Sequence, residues 1–381
     1  MICFLHHRYR TLGGEERVVE RLAALVREHL DEEVVVLERG STGLGRVEAA
    51  RGLLRGGLRP EEVGDAVRRT GARIVHAHNL HPTFGWRALA AARRAGARTV
   101  LHAHNYRLVC AVGTCLDPAG ADCVRCHGTD TRPGLRHNCR GSRAEGLPYA
   151  IGLSRGLEPI LGHVDALAAP SRFALGRLGV LGVELGSVPT HVLPGPVDRF
   201  ATRSAAGEGR YALIAARLAP EKGVDLAIDA CRAAGVPLVV AGDGPLEPAL
   251  RARAAGADVR FVGQMDAGEL AGLREGAALA LAPSRVAETY GLAALEAMAA
   301  GVPVVAARMG ALTDVVPEAG LVPPDDVPAL AAAITARYGD AAAGEEGIVQ
   351  ARDVASPERV AQALRELYAT ASSAAPGPHP R

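Results

Sequence analysis

The feature that most constrains this chain is an alternation running its whole length: short apolar runs rich in Val, Ala and Leu, separated by longer amphipathic stretches. A pattern that keeps switching between strand-like and helical periods is the mark of βα units, which build a parallel sheet covered by helices on both faces. Residues 2–6, 33–37, 73–78, 99–104, 164–169 and 190–193 read as the strands of a first series, with helices across 15–30 and 83–95. A second series takes 211–215, 237–241, 259–262, 278–281 and 303–306, with helices at 224–234 and 292–300. Hydrophobic residues make up 48% of the chain but aromatics only 3%, so its cores must be built from small aliphatic side chains. That suits helices packed closely on a Val-rich parallel sheet.

At 381 residues the chain is longer than one ordinary core requires. The stretch 194–210, rich in Gly, Pro, Arg and Ser, is the expected linker. The predicted fold class is α/β, with two Rossmann-like domains facing across a cleft. The first covers 1–197 and holds a cysteine-rich insertion at 108–141, where the alternation breaks; the second covers 198–355. A C-terminal helix at 356–371 is expected to cross back to the first domain, and the small, Pro-rich stretch 372–381 reads as a disordered tail.

Basic and acidic side chains nearly balance, 43 against 42, which argues against nucleic acid as a partner. The first 200 residues nevertheless carry 27 arginines against 20 acids. A basic first half suits an anionic acceptor or peripheral contact with an anionic membrane surface. Met1 to Leu5 runs straight into His6, His7 and Arg8, unlike a secretory signal, and the seven cysteines then suggest a reducing compartment. The expected location is cytoplasmic, with peripheral contact at the inner face of a membrane.

Two cations follow the strand at 211–215, in Ala215-Ala-Arg-Leu-Ala-Pro-Glu-Lys-Gly223. A strand end opening into a helix is where an α/β sheet presents its ligand crevice, and Arg217 with Lys222 there suits a diphosphate. Lys222 is the only lysine in the chain, the other 42 basic residues being arginine. A lone lysine against that background points to a site that needs a compact ammonium rather than a planar fork. The turn Ala241-Gly-Asp-Gly-Pro245 follows the next strand, and the backbone of Gly263, Gln264 and Met265 is placed to bracket a nucleobase. In Pro283-Ser-Arg-Val-Ala-Glu-Thr-Tyr-Gly-Leu-Ala-Ala-Leu-Glu296, Glu288 lies in a loop that also carries Tyr290. Gly291 and Leu292 open a helix whose N–H groups can meet a phosphate. Glu296, about two turns beyond Glu288, can accept from both hydroxyls of a ribose.

Five histidines, His76, His78, His81, His102 and His104, gather at two successive strand ends. Histidines at i and i+2 share one face of a strand, so a metal site is one reading; with no carboxylate among them, packing within the sheet is the other. In the insertion, Cys123, Cys126 and Cys139 have zinc-knuckle character, with Cys110, Cys115, His127 or His137 as the fourth ligand. Structural zinc is one outcome for this set; free or disulfide-linked thiols are the other. Arg132, Arg136, Arg140 and Arg143 make the segment basic, which suits a phosphorylated or lipid-diphosphate acceptor and equally a set of exposed arginines with no such role.

Taken together, Arg-x4-Lys-Gly, Gly-Asp-Gly-Pro and Ser-x3-Glu-x-Tyr-Gly-Leu-x3-Glu-Ala resemble the retaining GT-B glycosyltransferases of family 4, in particular a subset with a cysteine-rich insertion in the N-terminal domain. Gly13 and Gly14, in Gly13-Gly-Glu-Glu-Arg17, resemble that family's N-terminal glycine loop. The resemblance implies a nucleotide-sugar donor, UDP-linked, and an unidentified hydroxyl acceptor: a glycan, a lipid carrier or a natural product. It implies that Arg217 and Lys222 stabilise the leaving diphosphate, that Glu296 holds the ribose, and that Glu288 orients the sugar. His104 would lie beneath that sugar. No cofactor is then required for catalysis, because two cations and a helix terminus replace a divalent ion in neutralising the departing nucleotide. The resemblance also favours Cys110 as the fourth cysteine of a structural zinc site. One departure is Leu193-Pro-Gly-Pro-Val-Asp198, which has Gly-Pro where the family reads Asn-Gly. Two rival readings are a nucleotide-sugar epimerase and a zinc-bearing binding protein with a vestigial nucleotide cleft. The first would need acid–base carboxylates in the first domain, where only Asp117 and Asp122 of the insertion offer themselves; the intact cation–carboxylate set speaks against the second.

Overall fold

The computed structural model describes residues 1–9 and 14–374. They divide into two compact units. The first comprises Met1–Ala119, Cys123–Pro196 and the chain from Val360 onward; the second comprises Gly120–Asp122 and Val197–Arg359.

Each unit is built on a six-stranded sheet in which every pairing is parallel. In the first unit the strands are β1 (Ile2–Arg8), β2 (Val34–Gly40), β3 (Ile74–Ala77), β4 (Arg98–His102), β5 (Ala166–Ala169) and β6 (Thr190–Val192). Their order is β2-β1-β3-β4-β5-β6, the flavodoxin-like arrangement. The second unit has β7 (Tyr211–Ala215), β8 (Leu238–Ala241), β9 (Val259–Gly263), β10 (Ala277–Ala282), β11 (Val304–Ala307) and β12 (Leu321–Val322). Their order, β12-β11-β10-β7-β8-β9, is the doubly wound order of dinucleotide-binding folds. Strand order thus reverses between β1 and β3 in one sheet and between β7 and β10 in the other. In open α/β sheets, ligands bind beyond the carboxyl ends of the strands at such a reversal.

All eleven expected strands are present, with shifted ends that have physical causes. β1 continues through His7 and Arg8 because it stays in register with β2 as far as Arg8 opposite Gly40. β4 stops at His102, not 104, where the His104 N–H turns back to the His102 carbonyl at 3.1 Å. β12 escaped sequence reading because two residues carry no period. The stretch 194–210 is no free tether either. Val197 and Ala201 donate to the carbonyls of Ala355 and Ala299, Ser204 is buried against the Gly301 carbonyl, and Ala206–Glu208 forms a 3₁₀ turn.

The cysteine-rich segment starts inside the first core: Tyr106, Leu108, Val109 and Cys115 are buried with the residues behind the sheet. Beyond them it holds one short helix, Arg132–Arg136. The C-terminal helix runs from Pro357 to Ser373, burying Val360, Ala361, Leu364, Leu367, Tyr368 and Ala371 along one stripe in the first unit. Ser372 and Ser373 are therefore helical, the Ala374 N–H still reaches the Thr370 carbonyl at 3.1 Å, and residues 375–381 of the expected tail lie outside the described residues. No helix among the described residues is long and apolar enough to cross a membrane.

Candidate functional site

The carboxyl ends of β7 and β10, the two strands at the reversal of the second sheet, carry the loops in which sequence reading placed its cations and its loop carboxylate. Arg217 and Lys222 follow β7; Ser284 and Glu288 follow β10. The Lys222 ammonium donates to Glu288 Oε1 at 2.7 Å, and the Ser284 hydroxyl donates to the same oxygen at 2.7 Å. Burial pushes the Glu288 carboxyl up, but Lys222 and Ser284 outweigh it and hold the group below the usual range. It is a fixed carboxylate beside a fixed ammonium. Arg217 is more exposed and pairs with Glu221 in its own loop.

Several contacts make this meeting of loops rigid. Gly223, directly after Lys222, has φ of 64°, and a Cβ there would come within 2.0 Å of the Pro283 carbonyl oxygen. Only glycine lets the two loops approach so closely. Gly310 does the same behind Glu288: its φ is 62° and a Cβ would meet the Glu288 nitrogen at 2.3 Å. Arg285, which sequence reading passed over, clamps the loops from the other side. Its guanidinium takes Asp225 in two bonds of 2.7 and 2.8 Å, reaches Asp325 at 2.5 Å, and donates to the Pro220 carbonyl at 3.1 Å. The only hint in the sequence was its position inside the quoted motif. The Gly-Asp-Gly turn acts as a brace: Leu218 donates to the Asp243 carbonyl at 2.7 Å, and Leu246 donates to that of Leu218 at 3.0 Å.

Glu296 differs from its expected state. It sits on the helix Leu292–Ala299 behind the cap Gly291, beside the buried Tyr290, and its Oε2 accepts from Arg274 at 2.5 Å. Both side chains are almost fully enclosed, so Glu296 is a member of a buried ion pair rather than an open acceptor for two hydroxyls. Arg274, 22 residues away on the helix Ala267–Glu275, was not foreseen. Gly263 ends β9 and accepts from Gly242 at 2.7 Å; Gln264 is exposed and Met265 half-buried just before Asp266 caps that same helix.

In the first unit Gly13 lies outside the described residues, and Gly14 opens the helix Gly14–Leu30. Glu15 on that helix accepts from Asn105 at 3.2 Å, and burial, with Glu16 next to it, pushes its carboxyl up to about 8. His104 is buried and its Nε2 lies 2.9 Å from His78 Nδ1. Burial holds His76, His78, His102 and His104 well below the usual imidazole range, so all four rings are neutral. His81 is buried separately, and its pKa falls to about 4.

The five cysteines of the insertion are unpaired by disulfides and line one small cavity with His137. Cys110 lies against Cys115 and accepts from local backbone amides, which lowers its thiol to about 6. Among the described residues, however, no three of these cysteines bring their sulfurs within 4.8 Å of one another, so Cys110, Cys123, Cys126 and Cys139 do not stand as a preformed tetrahedral set. The basic patch is partly engaged within the segment: exposed Arg132 is chelated by Asp130, while Arg140 stacks on Tyr149 and donates to the Ala111 carbonyl. Asp117, one of the two carboxylates an epimerase would need, is paired with Arg125 at 3.1 Å.

Comparison with known proteins agrees with this geometry. Residues 209–340 match the family model described as Glycosyl transferases group 1. A 106-residue stretch is 46% identical to a GDP-mannose-dependent α-(1-6)-phosphatidylinositol dimannoside mannosyltransferase of Mycobacterium tuberculosis, covering 26% of this chain and 28% of that protein. The M. tuberculosis glycogen synthase is 36% identical over 186 residues, 44% of each chain. The chain thus spans less than half the length of these curated relatives. Among solved structures, sucrose-phosphate synthase from Thermosynechococcus elongatus superposes with a TM-score of 0.68 at 19% identity, over 98% of this chain and 99% of that one. Anabaena HepE in complex with UDP and glucose does so with 0.65 at 18% identity, over 97% and 99%. The chain has the GT-B fold, and the match to group 1 glycosyl transferases falls on the unit that holds the Lys222–Glu288 pair.

Proposed function

We propose that this protein is a retaining glycosyltransferase that moves a hexose from a nucleoside diphosphate to a hydroxyl acceptor. The observation that carries the proposal is the meeting of Lys222 and Glu288, 66 residues apart, at the strand-order reversal of the second sheet. An ammonium held by a carboxylate in a half-buried loop is placed in advance for charge that appears on a departing diphosphate. Such preorganised groups stabilise developing charge without rearranging at the moment of reaction.

In the proposed mechanism Lys222 and Arg217 take the diphosphate, and Glu288 fixes the ammonium while orienting hydroxyls of the sugar. Glu296 turns from Arg274 toward the ribose. The bond from the anomeric carbon to the diphosphate oxygen breaks, the acceptor oxygen bonds to that carbon on the same face, and its proton passes to the leaving phosphate. The two cations make a catalytic metal unnecessary. UDP is the proposed nucleotide, supported by the likeness to the UDP-bound HepE fold, with GDP as the competing donor because a curated relative depends on GDP-mannose.

A thermal-shift panel of UDP-, GDP- and ADP-sugars with the matching free nucleotides tests this without knowledge of the acceptor. A ligand at a hundred times its Kd should stabilise the fold by about 2.7 kcal/mol. If no nucleotide or nucleotide sugar raises the melting temperature, the proposal fails.

A further inference from the structure

The first sheet holds a second cluster that the proposed transfer does not use. His76 and His78 alternate onto one face of β3 and its end, and His102 projects from β4. With Ala77 opposite Leu101, the next pair in register is His78 beside His102. Ring centroids lie 4.3 Å apart for His76 and His78, 5.7 Å for His76 and His102, and 5.6 Å for His78 and His102. One ring nitrogen from each of the three falls within 4.8 Å of the other two, the only such grouping of histidine, cysteine or acidic ligands among the described residues.

What the nitrogens bond to is as telling as where they are. His76 Nδ1 lies 2.9 Å from the Tyr368 hydroxyl on the C-terminal helix, and His78 Nδ1 lies 2.9 Å from His104 Nε2. Nε2 of both rings is buried and without a partner, and His102 has no full hydrogen bond at either nitrogen, its ring only approaching the Leu193 backbone. All three residues are fully or almost fully buried. Buried polar atoms without partners are rare in folded proteins, because each gives up water for nothing. A metal-bound imidazole shows the same division of labour: one nitrogen on the ion, the other anchored to a neighbouring group that fixes ring and tautomer.

We propose that His76, His78 and His102 form a binding site for a borderline divalent transition metal, zinc being the physiological candidate. Imidazole suits zinc, copper, nickel and cobalt, whereas a set without carboxylates does not suit magnesium or calcium. Metal–nitrogen bonds of about 2.1 Å need the three nitrogens somewhat closer than they stand, a change that rotation of the rings supplies. Three neutral ligands leave the charge of the ion uncompensated, so a hydroxide or another anion completes the set, as in open three-histidine sites. The C-terminal helix then gains a task, since Tyr368 anchors one ligand from the far end of the chain.

The test uses the full-length protein, stripped with a chelator and then loaded with Co²⁺ or Zn²⁺ alone. One equivalent of Co²⁺ with visible d–d bands but no thiolate-to-cobalt charge transfer is expected, together with a rise in melting temperature on adding Zn²⁺. The double variant Cys123→Ser/Cys126→Ser should keep both signals, and His102→Val should lose at least nine-tenths of the bound metal. Less than a tenth of an equivalent in the wild type overturns the proposal, whatever the variants do. So does a cobalt spectrum dominated by thiolate charge transfer, which would move the ion to the cysteines.

Discussion

The two sheets reverse strand order at different places, and the chemistry gathered at the two reversals is opposite in kind. In the second unit the reversal holds charges, and three acids there are paired with cations: Glu288 with Lys222, Glu221 with Arg217, Glu296 with Arg274. In the first unit the corresponding region holds stacked imidazoles that burial keeps neutral, several with nitrogens that bond to nothing, and a glutamate, Glu15, that retains its proton. Paired charges can meet a charged ligand by exchanging one partner for another. Unpaired neutral nitrogens can instead accept an ion that brings its own charge. On the two proposals, the same architecture offers paired charges to an anion in one unit and unpaired nitrogens to a cation in the other.

The hardest blow to this contrast would come from Glu288→Ala. Measured as nucleoside diphosphate released from the preferred donor, turnover should fall about a hundred- to a thousandfold. The thermal shift caused by the free nucleotide should survive, because Lys222 remains. Unaltered turnover would refute the role given to Glu288.

Arg274→Met asks whether Glu296 is structural. Removing the guanidinium from this buried carboxylate should cost about 3 kcal/mol in a denaturant melt, whereas the double variant Arg274→Met/Glu296→Leu should recover most of that stability. If Glu296 also holds the ribose, the double variant will be stable yet insensitive to nucleotide. A double variant that still responds fully to nucleotide leaves Glu296 a structural residue.

Glu15 probes the neutral side. Folded, its carboxyl keeps a proton up to about 8, above the ordinary 4.5 of the unfolded chain. Folding therefore binds a proton between those values, and stability falls as pH rises through that window. Glu15→Gln should remove the dependence and gain about 1–2 kcal/mol over wild type above pH 8, with Arg107, Glu16 and Tyr9 as the nearby charged or titratable groups. Parallel stability–pH curves for the two proteins would show that the carboxyl is ionised after all.

The smallest effect is expected for Lys222→Arg. Charge is kept, but a planar fork replaces a compact ammonium beside Glu288, and nucleotide affinity by calorimetry should drop about tenfold. Equal affinity would mean that the lone lysine of the chain reflects chance.

Much of this molecule was legible residue by residue. The alternation of periods located all eleven expected strands to within three residues at either end, because strand and helix periods are local properties. Arg217, Lys222 and Glu288 were legible for a related reason: each lies in the loop that follows a strand, and in a parallel sheet all strand ends point the same way. Arg285 and Arg274 were not, since nothing near them in sequence marks an arginine whose partners lie 60 and 22 residues away. The cysteine cluster was legible as a spacing only: the fold gathers its five cysteines around one cavity, and how close their sulfurs come was not to be read from the spacing.

Sequence alone determined that this chain makes two parallel α/β units, and it named the cations and the carboxylate at the ends of β7 and β10. Tertiary structure alone decided that one sheet winds in flavodoxin order and the other in dinucleotide-fold order. It also decided that Glu296 goes to Arg274, and that histidines from two strands stack with a tyrosine from the final helix. The physical reason is that periodicity and turn chemistry act over a few residues, whereas pairing depends on which strands become neighbours and in what register. That choice is made by the packing of the whole core, and no short stretch of sequence carries it.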